Sequence, residues 1–366
     1  MIKKQIRLLK KQGLKTFLKE KKRKFNYYLK VKKHFPNDLE KWTSLKDKYK
    51  GQRVFLIGNG PSLNKTPLYL LKNEKLMCFN RFHLMLEKVN WKPDFYTIVD
   101  NLVLDDLLNE FEKVQNNADY VFIPSVHIQG DVFVNRVAHT EKINWFKHKL
   151  LGSGFSTDLP SVYSGGTVIF EGFQILKHLG FAEIVMIGVD MSYQIHKTAK
   201  SIKDKSNNIE SLSDDDPNHF DPRYFGKGKK YHQPEDYVIK NILNNLKKLS
   251  QLTDSLNLKI VNAGFDSQVE YFPKENFYHK LNLSQIEIQQ LFEETIQVNT
   301  VYGSLDMLKK RASELSGNVK HILEKDKNYI VNLEIGVDLI KKNVFTHVCF
   351  GPFQDTLYFV CRKNMK

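Results

Sequence analysis

The sequence predicts an α/β protein built on a doubly wound, mostly parallel sheet. From residue 53 onward, short runs rich in Val, Ile, Leu and Phe alternate with longer helical segments. Runs that are apolar throughout are typical of parallel strands, because helices cover both faces of such a sheet. Polar residues directly follow several of these runs, at the edge where doubly wound sheets bind ligands.

The predicted elements alternate in the order expected for this architecture. The predicted strands are Arg53–Gly58, Lys75–Asn80, Asp94–Asp100, Asp119–Ser125, Glu183–Val189 and Lys259–Gly264. The predicted helices are Leu102–Gln115, Thr167–Leu179 and roughly Glu235–Leu256. Together they predict a Rossmann-like nucleotide-binding domain over residues 50–283.

The positive charge of the chain is concentrated at its N-terminus. The formal net charge is +15, yet residues 1–35 hold fourteen Lys or Arg against a single acid, Glu20. The arm therefore carries +13 and the remaining residues carry +2. A nucleic-acid-binding core needs its own basic surface. We therefore expect no nucleic-acid partner for the body of the protein.

Residues 1–40 are predicted to form a basic amphipathic helical arm. Its apolar residues occupy about half of a helical wheel: Ile2, Ile6, Leu9, Leu14, Phe17, Leu18, Phe25, Tyr28 and Leu29. A helix of this kind lies on an anionic membrane surface, and the alternatives are a helix packed on the domain or an RNA-binding tail. Gly13 is expected to weaken or divide it.

Cysteine usage and hydropathy favour the cytoplasm. Cys78, Cys349 and Cys361 contain no CxxC pair, which supports neither a zinc ribbon nor a disulfide framework. No run of 18 apolar residues and no secretory signal is present. We expect a cytoplasmic protein held at the inner face of the membrane by residues 1–35.

Two segments interrupt the alternation of strands and helices. Residues 197–230 show no periodicity and are predicted to form a long loop, which is usually a lid, a binding loop or disordered. Within it, Asp214–Asp216 either bind Mg²⁺ or form a solvated acidic turn, and the spacing favours the turn. Residues 284–366 are predicted to form a small α+β appendage.

The turn after the first strand is the first candidate binding element. Gly58, Asn59, Gly60 and Ser62 lie in the sequence GNGPS. Glycines permit a tight turn that lets a ligand approach the backbone. Such a turn commonly holds a nucleotide or phosphate, although it is neither GxGxxG nor a P-loop. An ordinary strand-to-helix turn is the alternative.

The next two strands also end in polar residues. Asn80 and Arg81 follow the second strand, and Asp100 and Asn101 follow the third. Three consecutive polar strand ends suggest the rim of one shared cleft. Asn80 is a candidate for binding a base or sugar. Arg81 is a candidate for a phosphate or carboxylate, or for a surface ion pair.

Two further candidate elements lie later in the chain. Ser164, Gly165 and Gly166 precede an apolar helix, where they either bind an anion or hydroxyl or simply cap the helix. Asp190 closes the strand Glu183–Val189 and is a candidate sugar ligand, helper of a base or turn residue.

Tyr231 and His232 end the long loop and precede a helix that begins near Pro234. The N-terminus of a helix disfavours the imidazolium form, and neutral histidine is the form that accepts a proton. His232 is therefore a candidate general base, although a lone histidine is more commonly structural.

In combination, these motifs resemble a known group of bacterial proteins. The order GNGPSL, Asn80, Ser164-Gly165-Gly166, Gly188-Val189-Asp190 and a loop ending in His232 resembles the family 42 sialyltransferases. The phrase Asn218–Gly226 resembles the 6-hydroxymethylpterin pyrophosphokinase-like family, which includes the motility accessory factors. The resemblance covers about residues 50–275.

The resemblance implies a reaction and roles for individual residues. The sialyltransferases transfer a nonulosonic acid from a CMP-activated donor with inversion and without an obligate metal. Asn59, Ser62 and Asn80 match positions at the donor, Ser164 and Gly165 match a pair that receives its carboxylate or phosphate, and His232 matches the general base. The tyrosines that hold the leaving phosphate have loose candidates: Tyr193, Tyr224 and Tyr231.

The sequence thus predicts an inverting glycosyltransferase with a CMP-sugar donor, a glycan acceptor and no obligate cofactor or metal. One alternative is an ATP- and Mg²⁺-dependent 6-hydroxymethylpterin pyrophosphokinase, in which Asp214–Asp216 would bind the metal. The other is a nucleic-acid-binding protein that acts through its basic arm.

Overall fold

The computed structural model describes most of the chain. It covers residues 2–284 except 37, 90, 203–207, 233 and 266, and the two-residue strands Asn328–Tyr329 and Cys361–Arg362. Side chains are described from residue 13 onward within the first helix. The helices and most of the strand residues predicted for 284–366 lie outside these residues.

Eleven strands lie within residues 53–262. They are β1 (Arg53–Ile57), β2 (Leu76–Phe79), β3 (Phe95–Thr97), β4 (Tyr120–Pro124), β5 (Ile143–His148), β6 (Ser161–Val162), β7 (Glu183–Ile187), β8 (Lys200–Ser201), β9 (Asn208–Glu210), β10 (Lys230–His232) and β11 (Lys259–Asn262). Eight of them form one sheet in the order β11-β7-β1-β2-β3-β4-β5-β6, and every pairing in it is parallel. The predicted doubly wound α/β fold is confirmed.

Helices cover both faces of this sheet. They are α1 (Ile2–His34), α2 (Leu39–Leu45), α3 (His83–Leu86), α4 (Asn101–Leu107), α5 (Phe111–Asn116), α6 (Val168–His178), α7 (Asp236–Ser250) and α8 (Phe277–Lys280). The segment predicted as one helix over 102–115 is divided by the 3-10 turn Leu108–Glu110. Strand residues of alternating parity feed two separate apolar cores, one on each face.

Two strands of the sheet, β5 and β6, were not predicted from the sequence. Residues 125–142 between β4 and β5 contain no helix, so the strand-helix alternation fails at that place. β5 also contains the polar residues Asn144, Lys147 and His148. Asn144 is fully buried, and its Nδ2 donates to the Lys142 carbonyl at 2.9 Å, while its Oδ1 accepts no hydrogen bond from the described residues.

The strand order places a topological switch point between β1 and β7. From β1 the chain adds β2 to β6 on one side, and it then returns to add β7 and β11 on the other. Doubly wound sheets bind ligands near such a point, at the carboxyl ends of the strands. The motifs that follow β1, β2, β3 and β7 all lie at this edge.

Helix α1 packs on the body of the protein through residues that are not part of the apolar stripe predicted from the sequence. Tyr27 and Val31 are buried against Val126, and the Tyr27 hydroxyl accepts from the His148 backbone N–H at 2.7 Å. Lys30 donates to the Gly130 carbonyl at 2.7 Å. The helix is broken at Gly13, whose φ of 74° lies in the left-handed region. The expected effect of Gly13 is confirmed.

The segment predicted as an unstructured loop over 197–230 is an ordered insertion over its described residues. β8, β9 and β10 form a small antiparallel sheet. Phe220 and Tyr224 are buried in the main core. The Asn59 carbonyl accepts from Phe220 N–H at 3.0 Å, and Asn64 Nδ2 donates to the Phe220 carbonyl at 2.9 Å. These buried aromatics and hydrogen bonds fix the insertion against the β1 turn.

Two buried histidines predict a loss of stability in mild acid. Burial lowers the pKa values of His83 and His127 to about 4. An unfolded histidine titrates near 6.5, so between pH 6.5 and 4 the unfolded chain binds protons that the folded chain does not. The free energy of unfolding therefore falls with pH in that window, by about 2 kcal/mol per histidine at pH 5.

Urea unfolding at pH 7.5 and pH 5 measures this loss. His83 makes no hydrogen bond through either ring nitrogen within the described structure. We expect His83→Leu to remove about 2 kcal/mol of the difference between the two pH values. An unchanged difference in that variant would show that His83 is not the group responsible.

Candidate functional site

The main cavity of the described structure, about 610 Å³, opens at the switch point. Its walls come from the turns after β1, β2, β3, β4 and β7, the start of α6, the insertion and the start of α7. The sequence-predicted residues that line it are Gly58, Asn59, Gly60, Asn80, Ser164, Gly166, Asp190, Tyr231 and His232. Residues up to 174 positions apart in sequence, Gly58 and His232, thus meet in one cleft.

The Gly58–Gly60 turn is shaped by close contact with the turn after β7. The Gly60 N–H donates to the Gly188 carbonyl at 2.8 Å. A Cβ on Gly58 would lie 2.2 Å from the Gly188 carbonyl oxygen, and one on Gly60 would lie 2.4 Å from the Asp190 carboxyl group. Both glycines are therefore required for the packing of two adjacent turns, which brings the backbone of residues 58–60 to the cleft.

Two asparagines offer unpartnered acceptors beside the cleft. Asn59 Nδ2 donates to the Phe79 carbonyl at 3.2 Å and to the Tyr224 hydroxyl at 3.1 Å. Asn80 has a φ of 50°, a conformation that asparagine tolerates better than most residues. Both side-chain oxygens are buried and accept no hydrogen bond from the described residues. Buried polar groups normally have partners, so these two atoms are suited to the donors of a ligand.

Tyrosines line the side of the cleft that the insertion forms. Tyr193, Tyr224 and Tyr231 all face it. Burial raises the pKa values of Tyr224 and Tyr231, so both keep their hydroxyl protons at neutral pH. The Tyr224 hydroxyl accepts from Asn59, which leaves its proton available for a ligand oxygen. The Tyr231 hydroxyl is hydrogen-bonded to His196 Nδ1.

His232 lies at the end of β10 and is exposed on the rim of the cleft. Its backbone is paired with Asn208 of β9, so the small sheet holds it in place. Pro234 follows, and α7 begins at Asp236. The side chain therefore lies between the insertion and a fixed helix, as the sequence predicted.

A second imidazole in the cleft, His219, was not assigned a role from the sequence. Its ring stacks on Tyr224 with centroids 3.8 Å apart and planes 1° from parallel. His219 Nδ1 lies 2.7 Å from Oδ2 of the buried Asp216. A carboxylate at this position orients the imidazole ring.

Four predicted site residues are not among those that line the cleft. The Ser62 N–H and hydroxyl both donate to Asp190 in the interior. Arg81 is buried, and its guanidinium lies 3.2 Å from the Asp106 carboxylate of α4. The side chain expected to bind a phosphate is therefore paired with an acid of the protein. Asn101 Nδ2 points to Asp131 at 3.4 Å. Gly165 is required by packing, because a Cβ there would lie 2.2 Å from Phe170.

Asp190, predicted as catalytic, has a supporting position. Its two carboxylate oxygens accept the Ser62 N–H at 2.8 Å and the Ser62 hydroxyl. The residue is 4% exposed. These bonds join the turn after β7 to the turn after β1, so Asp190 holds the shape of the cleft floor.

Two buried polar side chains that line the cleft, His127 and Glu171, were missed by sequence reasoning. His127 stacks on Phe133 with planes 9° from parallel. Because burial lowers its pKa to about 4, it is neutral at pH 7. His148 Nε2 lies 3.1 Å from Oε1 of Glu171, and both side chains are buried. His127 could have been found from the sequence, because it lies three residues after β4 and therefore at the same edge of the sheet as the turns after β1, β2 and β3.

The acidic run Asp214–Asp216 is divided among different partners. Asp214 accepts the Lys227 N–H at 2.8 Å, and Asp215 lies 2.6 Å from His196 Nε2. Asp216 is 6% exposed and binds the Asn218 N–H as well as His219. The favoured interpretation as a solvated turn is wrong for Asp216, because its carboxylate organises the insertion. The described residues contain no group of three or more His, Cys, Asp or Glu placed to hold a metal.

Comparison with known proteins agrees with the motifs. A family model described as 6-hydroxymethylpterin diphosphokinase MptE-like matches residues 28–196. It is the family that the sequence motifs resemble, and the resemblance is confirmed over that range. No curated protein matches the chain.

Solved structures of sialyltransferases are similar to the chain at a distance. The sialyltransferase CstII from Campylobacter jejuni, in complex with the substrate analogue cytidine-5'-monophosphate, is 14% identical with a TM-score of 0.35, over 62% of this chain and 85% of that chain. An α-2,3-sialyltransferase from the same organism in apo form is 13% identical with a TM-score of 0.34, over 62% and 80%. A likeness at these scores is too distant to transfer a ligand or an activity.

Proposed function

We propose that the protein is an inverting glycosyltransferase that takes a nonulosonic acid from a CMP-activated donor and transfers it to a glycan. The proposal rests on the motifs that resemble the sialyltransferases and on one feature of the cleft. The unpartnered side-chain oxygens of Asn59 and Asn80 lie at a switch point, beside hydroxyl groups that stay protonated. Amino and hydroxyl groups of a cytidine nucleotide are the donors that such oxygens accept.

The reaction follows from the groups around the cleft. The acceptor hydroxyl gives its proton to His232 while its oxygen forms a bond to the anomeric carbon of the donor sugar. The bond from that carbon to the phosphate oxygen breaks, and CMP leaves with the electron pair. The hydroxyls of Tyr224 and Ser164 supply hydrogen bonds to the developing charge, and the Gly166 N–H donates to the Ser164 hydroxyl at 3.4 Å.

The hydrogen bonds of the acids in the insertion favour a donor that needs no metal. The pyrophosphokinase alternative is named by the matching family model and requires Mg²⁺. In it Asp214–Asp216 would bind the metal, whereas each of these carboxylates accepts hydrogen bonds from the insertion. A metal would therefore compete with the contacts that order this wall of the cleft.

Product analysis distinguishes these two reactions. We expect the protein to release CMP from a CMP-activated nonulosonic acid in the presence of EDTA. The matched assay supplies ATP, Mg²⁺ and 6-hydroxymethylpterin. Formation of AMP and a pterin diphosphate, without CMP release in the first assay, would replace the proposed function by the alternative.

Helix α1 is proposed to hold the enzyme on an anionic membrane. Leu14, Leu18, Phe25 and Leu29 are 50–63% exposed and fall within about 60° of one another on a helical wheel. The docked residues Tyr27 and Val31 lie on the other side. Exposed lysines flank the apolar stripe, a pattern typical of helices that bind membrane surfaces. Among the described residues, no helix has the length and apolar character to cross a bilayer.

Substitution of the stripe tests this attachment better than deletion of residues 1–35, which would also remove Tyr27 and Val31. We expect the fourfold change of Leu14, Leu18, Phe25 and Leu29 to serine to weaken binding to phosphatidylglycerol vesicles by at least ~100-fold. Leu252→Ser, an exposed apolar residue elsewhere, is the control. Unchanged sedimentation of the fourfold variant with vesicles would contradict the assignment.

A further inference from the structure

A second cavity of about 260 Å³ lies beside the first, between α1 and the segment that follows β5. Ser164 lines both cavities, so they are neighbours across one residue. The walls of the second come from Glu20, Arg23 and Lys24 of α1, from residues 149–154, and from α7 through Asn245. The sequence motifs did not predict it, because three of its lining residues belong to the basic arm and most of the others follow β5, a strand that the sequence did not predict.

The cavity has an excess of positive charge. Arg23 lies 2.9 Å from Glu20, and the hydrogen bond from Arg23 lowers the pKa of Glu20, so this pair is ionised and mutually neutralised. Lys149 donates to the Ser156 hydroxyl at 3.0 Å and is 3.4 Å from the exposed Asp158. Lys24 makes no hydrogen bond or ion pair in the described structure, although its charge helps to lower the pKa of Glu20. Lys24 is thus the ammonium group left to act on the contents of the cavity, and Lys149 adds a second positive charge that the exposed Asp158 shares.

The loop opposite the lysines can also bind an anion. Gly152 and Gly154 have φ values of 88° and 152°, which glycine adopts readily. Within the described residues, the backbone N–H groups of 152–154 donate to no protein acceptor. These residues line the basic cavity, and unpaired backbone N–H groups in such a place can bind phosphate.

We propose that this cavity binds the phosphate or diphosphate group of the acceptor, which makes the acceptor a phosphate-linked glycan. This rests on the proposed function, because the neighbouring cleft must then hold the donor. The same helix supplies Lys24 to the cavity and the exposed stripe to the membrane. A lipid-linked diphosphate would place its lipid at the stripe, its phosphates at Lys24 and Lys149, and its sugar toward Ser164.

Calorimetry with inorganic pyrophosphate, in saturating CMP, tests the cavity on the full chain. We expect Lys24→Gln and Lys149→Gln each to weaken pyrophosphate binding by at least ~5-fold, as for the loss of one charged contact to phosphate. Lys22→Gln removes the same charge from an exposed position of the same helix and should bind as the wild type does. Equal affinity in all four proteins, or an equal loss in Lys22→Gln, would overturn the proposal.

Two further measurements make the outcome specific. If Lys149→Gln unfolds more easily, Lys24→Gln alone decides, because Lys24 has no partner to lose. Lys24→Gln should bind phosphatidylglycerol vesicles as well as Lys22→Gln does, since both lose one charge of the same helix. A greater loss in Lys24→Gln would assign the cavity to a lipid headgroup instead. Binding of CMP is measured separately, so pyrophosphate binding that depends on Lys24 without any CMP binding would reject only the proposed function.

Discussion

Replacing His232 with alanine should abolish sugar transfer and leave the binding of CMP nearly unchanged. His232 is exposed on the rim of the cleft and its backbone is held by β9, so removing the imidazole removes a base without removing a packing residue. Loss of a general base typically lowers turnover by 10² to 10⁴. Turnover and CMP affinity are measured on the same preparation.

His219→Ala is the matched comparison, because it removes the other imidazole of the same wall. His219 stacks on Tyr224 and is bonded to Asp216, so its removal should disturb that wall and weaken CMP binding more than it lowers turnover at saturation. If His219→Ala instead abolishes turnover and His232→Ala retains it, the base is His219.

The second large effect is expected at Asp190. Asp190→Ala leaves the Ser62 N–H and hydroxyl without their acceptor in the interior. Hydrogen bonds to a buried charge contribute about 1.5 to 3 kcal/mol each, so we expect the free energy of unfolding to fall by about 3 to 6 kcal/mol. CMP binding should weaken as well, because the same bonds fix the Gly58–Gly60 turn.

Ser62→Ala separates support from catalysis. It removes one of the two bonds and should cost roughly half as much stability as Asp190→Ala. Urea unfolding and CMP titration follow both variants. An Asp190→Ala protein with wild-type stability and CMP affinity, but no turnover, would restore the catalytic role that the sequence suggested for Asp190.

The sheet and much of the cleft could be predicted because both depend on local sequence. A buried parallel strand is apolar throughout, and the residue after it lies at one edge of the sheet whatever the rest of the chain does. For this reason Asn59, Asn80 and Asp190 were found together, whereas His232 was found from its place before a helix and from the family resemblance. β5 was missed because the chain reaches it without a helix and because three of its residues are polar.

The remaining differences depend on contacts that no local pattern encodes. Arg81 looks free in the sequence, and only the packing of α4 brings Asp106 to it. The stacking of His219 on Tyr224 and the burial of Phe220 turn a polar segment into one wall of the cleft. The docking of α1 through Tyr27 likewise depends on a partner backbone 121 residues away.

The central claim, a cleft that binds a cytidine nucleotide without a metal, is tested most directly by calorimetric titration of CMP in EDTA and of ATP with Mg²⁺. We expect CMP to bind in EDTA and Asn80→Ala, which removes one unpartnered acceptor, to weaken this binding by about 10-fold. Binding of ATP only with Mg²⁺, and no binding of CMP, would contradict it.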